Sequence, residues 1–138
     1  MKILVVDDMI SMRHVMMHML RDLGYNDLGE ASDGVQALDK LKKDNYDVLI
    51  TDYYMPNING KQLLERIRHN EKLKELPVLM VSCEDDQKKI KSLIEAKVTG
   101  FIVKPFTANT LKKQLNWIKS MYDKKKASSN GHSEICIE

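Results

Sequence analysis

The sequence predicts an α/β fold built on a parallel sheet with helices on both faces. Short apolar runs alternate five times with helical stripes along the chain. Most of these runs are apolar at every position, the pattern of strands buried on both sides. The stretches between them are long enough for crossover helices, which parallel strands require. Right-handed crossovers then leave few topologies.

The elements follow in order. Residues 3–6 (Ile3, Leu4, Val5, Val6) read as a fully buried strand. Met12, Val15, Met16, Met19, Leu20 and Leu23 form a helical stripe, ended by Gly24 at a natural capping position. Residues 27–31 form a weaker strand, and Val35, Leu38 and Leu41 mark a second helix. Residues 48–50 are another buried strand. Leu63, Leu64 and Ile67 give a third helix, opened by Asn59 and Gly60. Residues 77–81 form a strand with Pro77 at its first position, where a missing N–H is tolerated. Ile90, Leu93 and Ile94 mark a fourth helix, with Glu84, Asp85 and Asp86 favourable at its N-terminus. Residues 101–103 are the last strand. Thr107 caps a final helix with the stripe Leu111, Leu115, Ile118 and Tyr122. From Asp123 the apolar periodicity stops, so residues 1–122 are expected to form one domain and 123–138 a flexible tail.

Composition narrows the function classes. At 138 residues the chain is long enough to bury a core, and 43% hydrophobic with 30% charged residues is a globular balance. A net charge of +2 does not by itself point to nucleic acid. No apolar run approaches the ~20 residues that span a bilayer, and no signal peptide is expected. Cys83 and Cys136 lie far apart and form no metal-spaced cluster. A reduced, cytoplasmic setting fits that cysteine usage.

The chemistry lies just after the strands. Asp7 and Asp8 follow the first, Asp52 follows the third, Ser82 ends the fourth, and Lys104–Pro105 follows the fifth. Open α/β sheets bind ligands beyond the carboxyl ends of their strands, where the strand order reverses. If the order is 2-1-3-4-5, strands 1, 3, 4 and 5 are neighbours. Three carboxylates, a hydroxyl and an ammonium then share one crevice. Clustered carboxylates repel, and a hard divalent cation relieves this. Mg²⁺ takes octahedral oxygen ligands at ~2.0–2.1 Å, usually one or two carboxylates plus waters. Asp8 and Asp52 could bind it directly, with Asp7 acting through water. Taken singly, each residue has an ordinary role as a turn, a cap or a helix start. Their joint placement at strand ends is the specific signal.

That set resembles a known family. Val5-Val6-Asp7-Asp8, Ile50-Thr51-Asp52, Met55-Pro56, Ser82 and Val103-Lys104-Pro105-Phe106-Thr107 look like the receiver domain of two-component response regulators. The resemblance covers residues 1–122 and is nearest to single-domain, CheY-type chemotaxis regulators. It implies a flavodoxin-like, CheY-like three-layer sandwich: a five-stranded parallel sheet in the order 2-1-3-4-5, with five helices. It also implies that Asp52 takes a phosphoryl group from a phosphohistidine on a CheA-like sensor histidine kinase. Asp7, Asp8, Asp52 and the backbone carbonyl of Tyr54 would hold Mg²⁺. Ser82 and Lys104 would bind the phosphoryl oxygens, Ser82 and Phe101 would form the switch, and the Lys104–Pro105 peptide would be cis. The resemblance further implies a monomeric, cytoplasmic signalling protein that supplies the groups for its own phosphorylation and dephosphorylation. Its output would be a partner such as a flagellar motor switch component, with a phosphatase as a further partner and no nucleic acid or membrane.

The chain departs from that pattern in places. Phe101 stands where chemotaxis members usually have tyrosine, so a switch step using that hydroxyl is lost. Tyr54 and Glu84 occupy positions that in the family influence phosphoryl hydrolysis. Cys83 replaces a usually small residue and reads chiefly as a small hydrophobe. His14 and His18, four apart, lack a third ligand. Lys88, Lys91, Lys97, Lys112 and Lys119 could meet an acidic partner on the family's output face or simply be solvated. Three alternatives from other classes stay open. A haloacid-dehalogenase-type phosphatase needs an Asp-x-Asp after the first strand, and Asp7-Asp8-Met9 lacks it. In a flavodoxin-like carrier, two aspartates in the first loop would repel the flavin phosphate. A phosphorelay intermediate, or a receiver with a non-flagellar partner, remains the alternative output.

Overall fold

The computed structural model describes residues 1–83 and 87–128. Glu84, Asp85 and Asp86, the side chains of Tyr122 and of residues 125–128, and residues 129–138 with Cys136 lie outside the described residues. The elements are β1 (Ile3–Val6), α1 (Ile10–Asp22), β2 (Leu28–Ala31), α2 (Gly34–Lys43), β3 (Val48–Asp52), α3 (Gly60–Arg68), β4 (Val78–Ser82), α4 (Gln87–Glu95), β5 (Gly100–Val103) and α5 (Ala108–Ser128). The five strands form one parallel sheet in the order β2-β1-β3-β4-β5. The alternation expected from sequence is present, and so is the reversal of strand order at β1.

The chain divides into two compact units, Met1–Phe106 and Thr107–Glu138. The first holds the whole sheet and four helices. Successive strand residues point to opposite faces. Leu4, Val6, Leu49, Val78 and Met80 join one core cluster with Ala37 and Leu41 of α2, Leu63, Leu64 and Ile67 of α3, and Leu93 of α4. On the other face Val5, Ile50 and Val81 line a cleft with Met12, Val15, Met16 and Met19 of α1. β1, β3 and β4 are buried almost throughout, which is why they read as continuous apolar runs.

Local sequence sets the helix ends. Gly24 adopts φ +98°, and Gly24 N–H donates to Arg21 while Tyr25 N–H donates to Leu20, a complete Schellman closure of α1. Asn59 accepts from Gln62 N–H, and the Gln62 side chain accepts from Asn59 N–H, so α3 opens with a capping box. The Asp33 side chain caps α2 through Gln36 N–H.

Two buried faces differ from expectation. In α1 the buried residues are Met16, Met17 and Leu20, while Val15 is half exposed. Arg13, Met16, Met17 and Leu20 are spaced i, i+3, i+4, i+7, so the inward stripe includes an arginine that apolar counting passes over. In α2 the buried residues are Gly34, Ala37 and Leu41, and Val35 is exposed. Small residues there let the helix approach closely: a Cβ on Gly34 would stand 2.5 Å from the Ile58 side chain.

In the second unit Thr107 Oγ1 accepts from Thr110 N–H, the expected cap, and Leu111, Leu115 and Ile118 are buried. α5 runs on to Ser128 although its apolar periodicity ends earlier. Lysine and alanine, which fill most of that last stretch of sequence, are good helix formers. Among the described residues, no helix is long and apolar enough to cross a membrane.

Candidate functional site

Strand register brings the polar residues together. Val6 pairs with Thr51, so Asp7 and Asp52 stand level, one step beyond. Asp52 pairs with Val81, which puts Ser82 one residue further along β4. Ser82 pairs with Val103, and Lys104 N–H donates to Ser82 C=O at 2.8 Å. At ~3.3 Å of rise per residue these offsets keep all four positions at one rim of the sheet.

Within that rim, one carboxylate oxygen from each of Asp7, Asp8 and Asp52 lies within 4.8 Å of the others. No other set of three acidic, histidine or cysteine side chains is so placed among the described residues. Lys104 Nζ stands 3.5 Å from Asp52 Oδ1 and 3.7 Å from Asp7 Oδ2. Asp7 and Ser82 are buried, Asp52 is partly buried and Asp8 is exposed. The Asp52 carboxyl is pushed above the usual carboxylate range, first by burial and then by the Asp7 charge. Lys104 and the Tyr53 N–H oppose that push. Three ionised carboxylates against one ammonium leave two excess negative charges, the deficit one divalent cation would fill. The donor set therefore fits a hard divalent cation.

Asp7 and Asp52 are held by local structure. Asp7 N–H donates to Ala31 C=O at 3.2 Å, and Asp7 Oδ1 accepts from Met9 N–H at 2.9 Å. Asp52 is kept close to α3 by Gly60. A Cβ there would stand 2.8 Å from Asp52 C=O and 2.9 Å from Tyr53 Cα, so only glycine permits that approach.

The remaining expected residues fall near the rim or beneath it. Phe101 pairs in register with Met80 and packs, partly buried, against the core cluster. Tyr54 is exposed, edge-on to Tyr53 with ring centroids 4.9 Å apart. The Lys104–Pro105 peptide is cis. Cys83 is exposed, so it is not a packed hydrophobe. His14 and His18 do not share a ligand site: His18 lies 3.4 Å from Asp22 and His14 3.8 Å from Glu30.

Sequence reading missed two groups around the site. Arg13 donates to Asp7 C=O and to Glu30 Oε1, both at 2.7 Å. Lys89 of α4 lies 4.4 Å from the Tyr54 ring centroid and 5.1 Å from that of Tyr53, and it contacts the Tyr54 hydroxyl. The inward spacing of Arg13 on α1 was a usable signal; Lys89 had none.

Comparison with known proteins agrees with this fold. Chemotaxis protein CheY-3 of Vibrio cholerae is 50% identical over 118 residues, which cover 86% of this chain and 91% of that protein. The solved structure of chemotaxis response regulator CheY4 of Vibrio cholerae is 38% identical with a TM-score of 0.78, over 85% of this chain and 97% of that one. The receiver domain of sensor histidine kinase PA1611 from Pseudomonas aeruginosa is 27% identical with a TM-score of 0.77, over 86% of this chain and 97% of that one. That structure has a magnesium ion coordinated in its active-site cleft. Residues 3–116 match the family described as "Response regulator receiver domain". A flavodoxin-like sheet carrying an acidic rim beside a lysine, and these matches over most of the chain, lead to one conclusion: the chain belongs to the response regulator receiver domain family.

Proposed function

We propose that this receiver is a phosphorylation switch that carries its phosphoryl group on Asp52 and works in chemotaxis control of the flagellar motor. The observation that carries the reading is the Asp52 carboxylate in a partly buried acidic rim, 3.5 Å from Lys104 Nζ. The likeness to CheY-type chemotaxis proteins supports the output assignment. The setting is cytoplasmic and the protein acts as a monomer.

In this reading an Asp52 carboxylate oxygen attacks the phosphorus of a phosphohistidine on a sensor histidine kinase, and the imidazole nitrogen leaves. Phosphoryl transfer is mainly positioning and charge stabilisation, so the receiver supplies the groups that matter. Mg²⁺ held by Asp7, Asp8, Asp52 and the Tyr54 backbone carbonyl would offset charge on the phosphoryl oxygens. Lys104 draws the carboxylate into place and then pairs with a phosphoryl oxygen. The Ser82 hydroxyl donates to another. Hydrolysis of the acyl phosphate later resets Asp52.

The switch has a size requirement. Moving a population from 1:99 to 99:1 needs ~5.5 kcal/mol of difference between states. One neutral hydrogen bond supplies ~1 kcal/mol, so Ser82 alone is too weak. Charge-assisted contacts from Lys104 must also change between states, with the Phe101 ring repacking beside β4.

Acetyl phosphate with Mg²⁺ should add one phosphoryl group to the intact protein, read by mass spectrometry, and Asp52→Asn should abolish it. Full labelling of Asp52→Asn would overturn the site. Binding to a flagellar switch peptide should strengthen with beryllofluoride; unchanged binding would remove the chemotaxis assignment.

A further inference from the structure

Arg13 lies on the inward stripe of α1 but has no place in the chemistry above. Its guanidinium has two separate acceptors. Nη1–H donates to Asp7 C=O and Nε–H to Glu30 Oε1 on β2, each at 2.7 Å. The Arg13 side chain is only 11% exposed, so its end of these charge-assisted bonds is shielded, while the Glu30 carboxylate reaches the surface. The Glu30 carboxyl is held below the usual carboxylate range, first by its hydrogen bond from Arg13.

The Asp7 carbonyl shares a peptide plane with the Asp8 N–H. Fixing that carbonyl fixes the plane and the N–Cα axis about which Asp8 turns, which narrows the directions open to its side chain. Asp8 is exposed, so packing does not set its orientation. Asp7 needs less help: its N–H and its Oδ1 are already engaged.

We propose that Arg13 is a positioning residue for the divalent-cation site, orienting the Asp7–Asp8 peptide, with Glu30 anchoring the guanidinium and cancelling its charge. The proposal rests on the cation reading given above. A planar guanidinium bridges two acceptors in different directions, which an ammonium cannot reproduce.

The sign of one measurement separates positioning from electrostatics. Arg13→Gln removes a positive charge near a cation site, so electrostatics alone predicts tighter Mg²⁺ binding. Loss of positioning predicts weaker binding, by about ten-fold, the scale usual when a partner of a metal ligand is removed. Mg²⁺ titration followed by the amide NMR shifts of residues 7–9 reads this directly, and Mn²⁺ binding by EPR repeats it. Glu30→Gln should weaken binding in the same direction, and Arg13→Lys should not restore it. Urea midpoints identify any variant that fails to fold; Arg13→Lys, which keeps the charge, then decides. Unchanged or tighter Mg²⁺ binding in folded Arg13 variants overturns the proposal. Asp52→Asn in the same titration tests the site itself. If it leaves Mg²⁺ binding unaltered, the cation reading fails and the clamp falls with it. If it weakens binding while the Arg13 variants do not, the clamp alone is wrong.

Discussion

Single residues at the rim serve geometry as much as chemistry. Asp52 and Lys104 were legible in the sequence only as a set, because they, Asp7, Asp8 and Ser82 all fall at the ends of apolar runs. Arg13 and Glu30 were not, because their meeting joins two elements 17 residues apart. Gly60 is the residue on which the position of Asp52 most depends. Gly60→Ala places a Cβ under 3.0 Å from the backbone of both Asp52 and Tyr53, and backbone cannot swing aside as a side chain can. The expected loss is about 1–3 kcal/mol in urea unfolding, with slower acetyl phosphate labelling. Unchanged stability would mean the loop after β3 is softer than its contacts indicate. Glu30 also gives a pH dependence. Its folded pKa lies below its unfolded value, so its contribution is full above pH ~4.5 and fades as pH falls through the lower folded value. Glu30→Gln should therefore flatten the acid side of the stability profile over that window. Thermal melts between pH 3 and pH 6 would check it.

Among elements, helix type and order were legible, while the buried face of each helix was not. Apolar periodicity located α3 well because Leu63, Leu64 and Ile67 are all fully buried. It misplaced the faces of α1 and α2, where an arginine and small residues take inward positions that counting apolar side chains ignores. The junction of α3 with its neighbours also rests on a polar residue. Arg68 donates to Lys97 C=O at 2.9 Å, Leu76 C=O at 2.6 Å and Lys74 C=O at 3.2 Å, and to Thr99 Oγ1 at 3.3 Å. Thr99 Oγ1 in turn accepts from Val78 N–H at 2.8 Å. One guanidinium thus fastens the end of α3 to the segments entering β4 and β5. Burial lowers its pKa, though the group stays charged. Arg68→Ala leaves the partly buried Leu76 C=O and Thr99 Oγ1 without that donor, and a loss of about 1–3 kcal/mol is expected by urea titration. A change under about 0.5 kcal/mol would show that water replaces the guanidinium freely.

For the molecule as a whole, strand order had to be assumed in the sequence, since nothing local encodes which strands pair. The site was legible only on that assumption, because the order 2-1-3-4-5 is what makes the ends of β1, β3, β4 and β5 neighbours. On the proposed reading, the same arrangement sets what a phosphoryl group on Asp52 can move. Ser82 ends β4 and α4 begins at Gln87, so a pull on Ser82 reaches α4 within five residues. α4 is also tied to the loop after β3 by Lys89, whose ammonium lies over Tyr54 and beside Tyr53. If α4 shifts on activation, that contact belongs to the resting state and opposes the shift. An exposed cation–π contact is worth ~0.5–1 kcal/mol, so its removal moves a two-state equilibrium by about two- to five-fold. Lys89→Met keeps the stem and deletes the charge. It should lower the beryllofluoride concentration for half-maximal change in the amide NMR spectrum by that factor, while Mg²⁺ binding stays as in the parent protein. An unchanged or higher half-point would mean that α4 keeps its place against Tyr54 in both states, and that the switch runs through β5 and Phe101 instead.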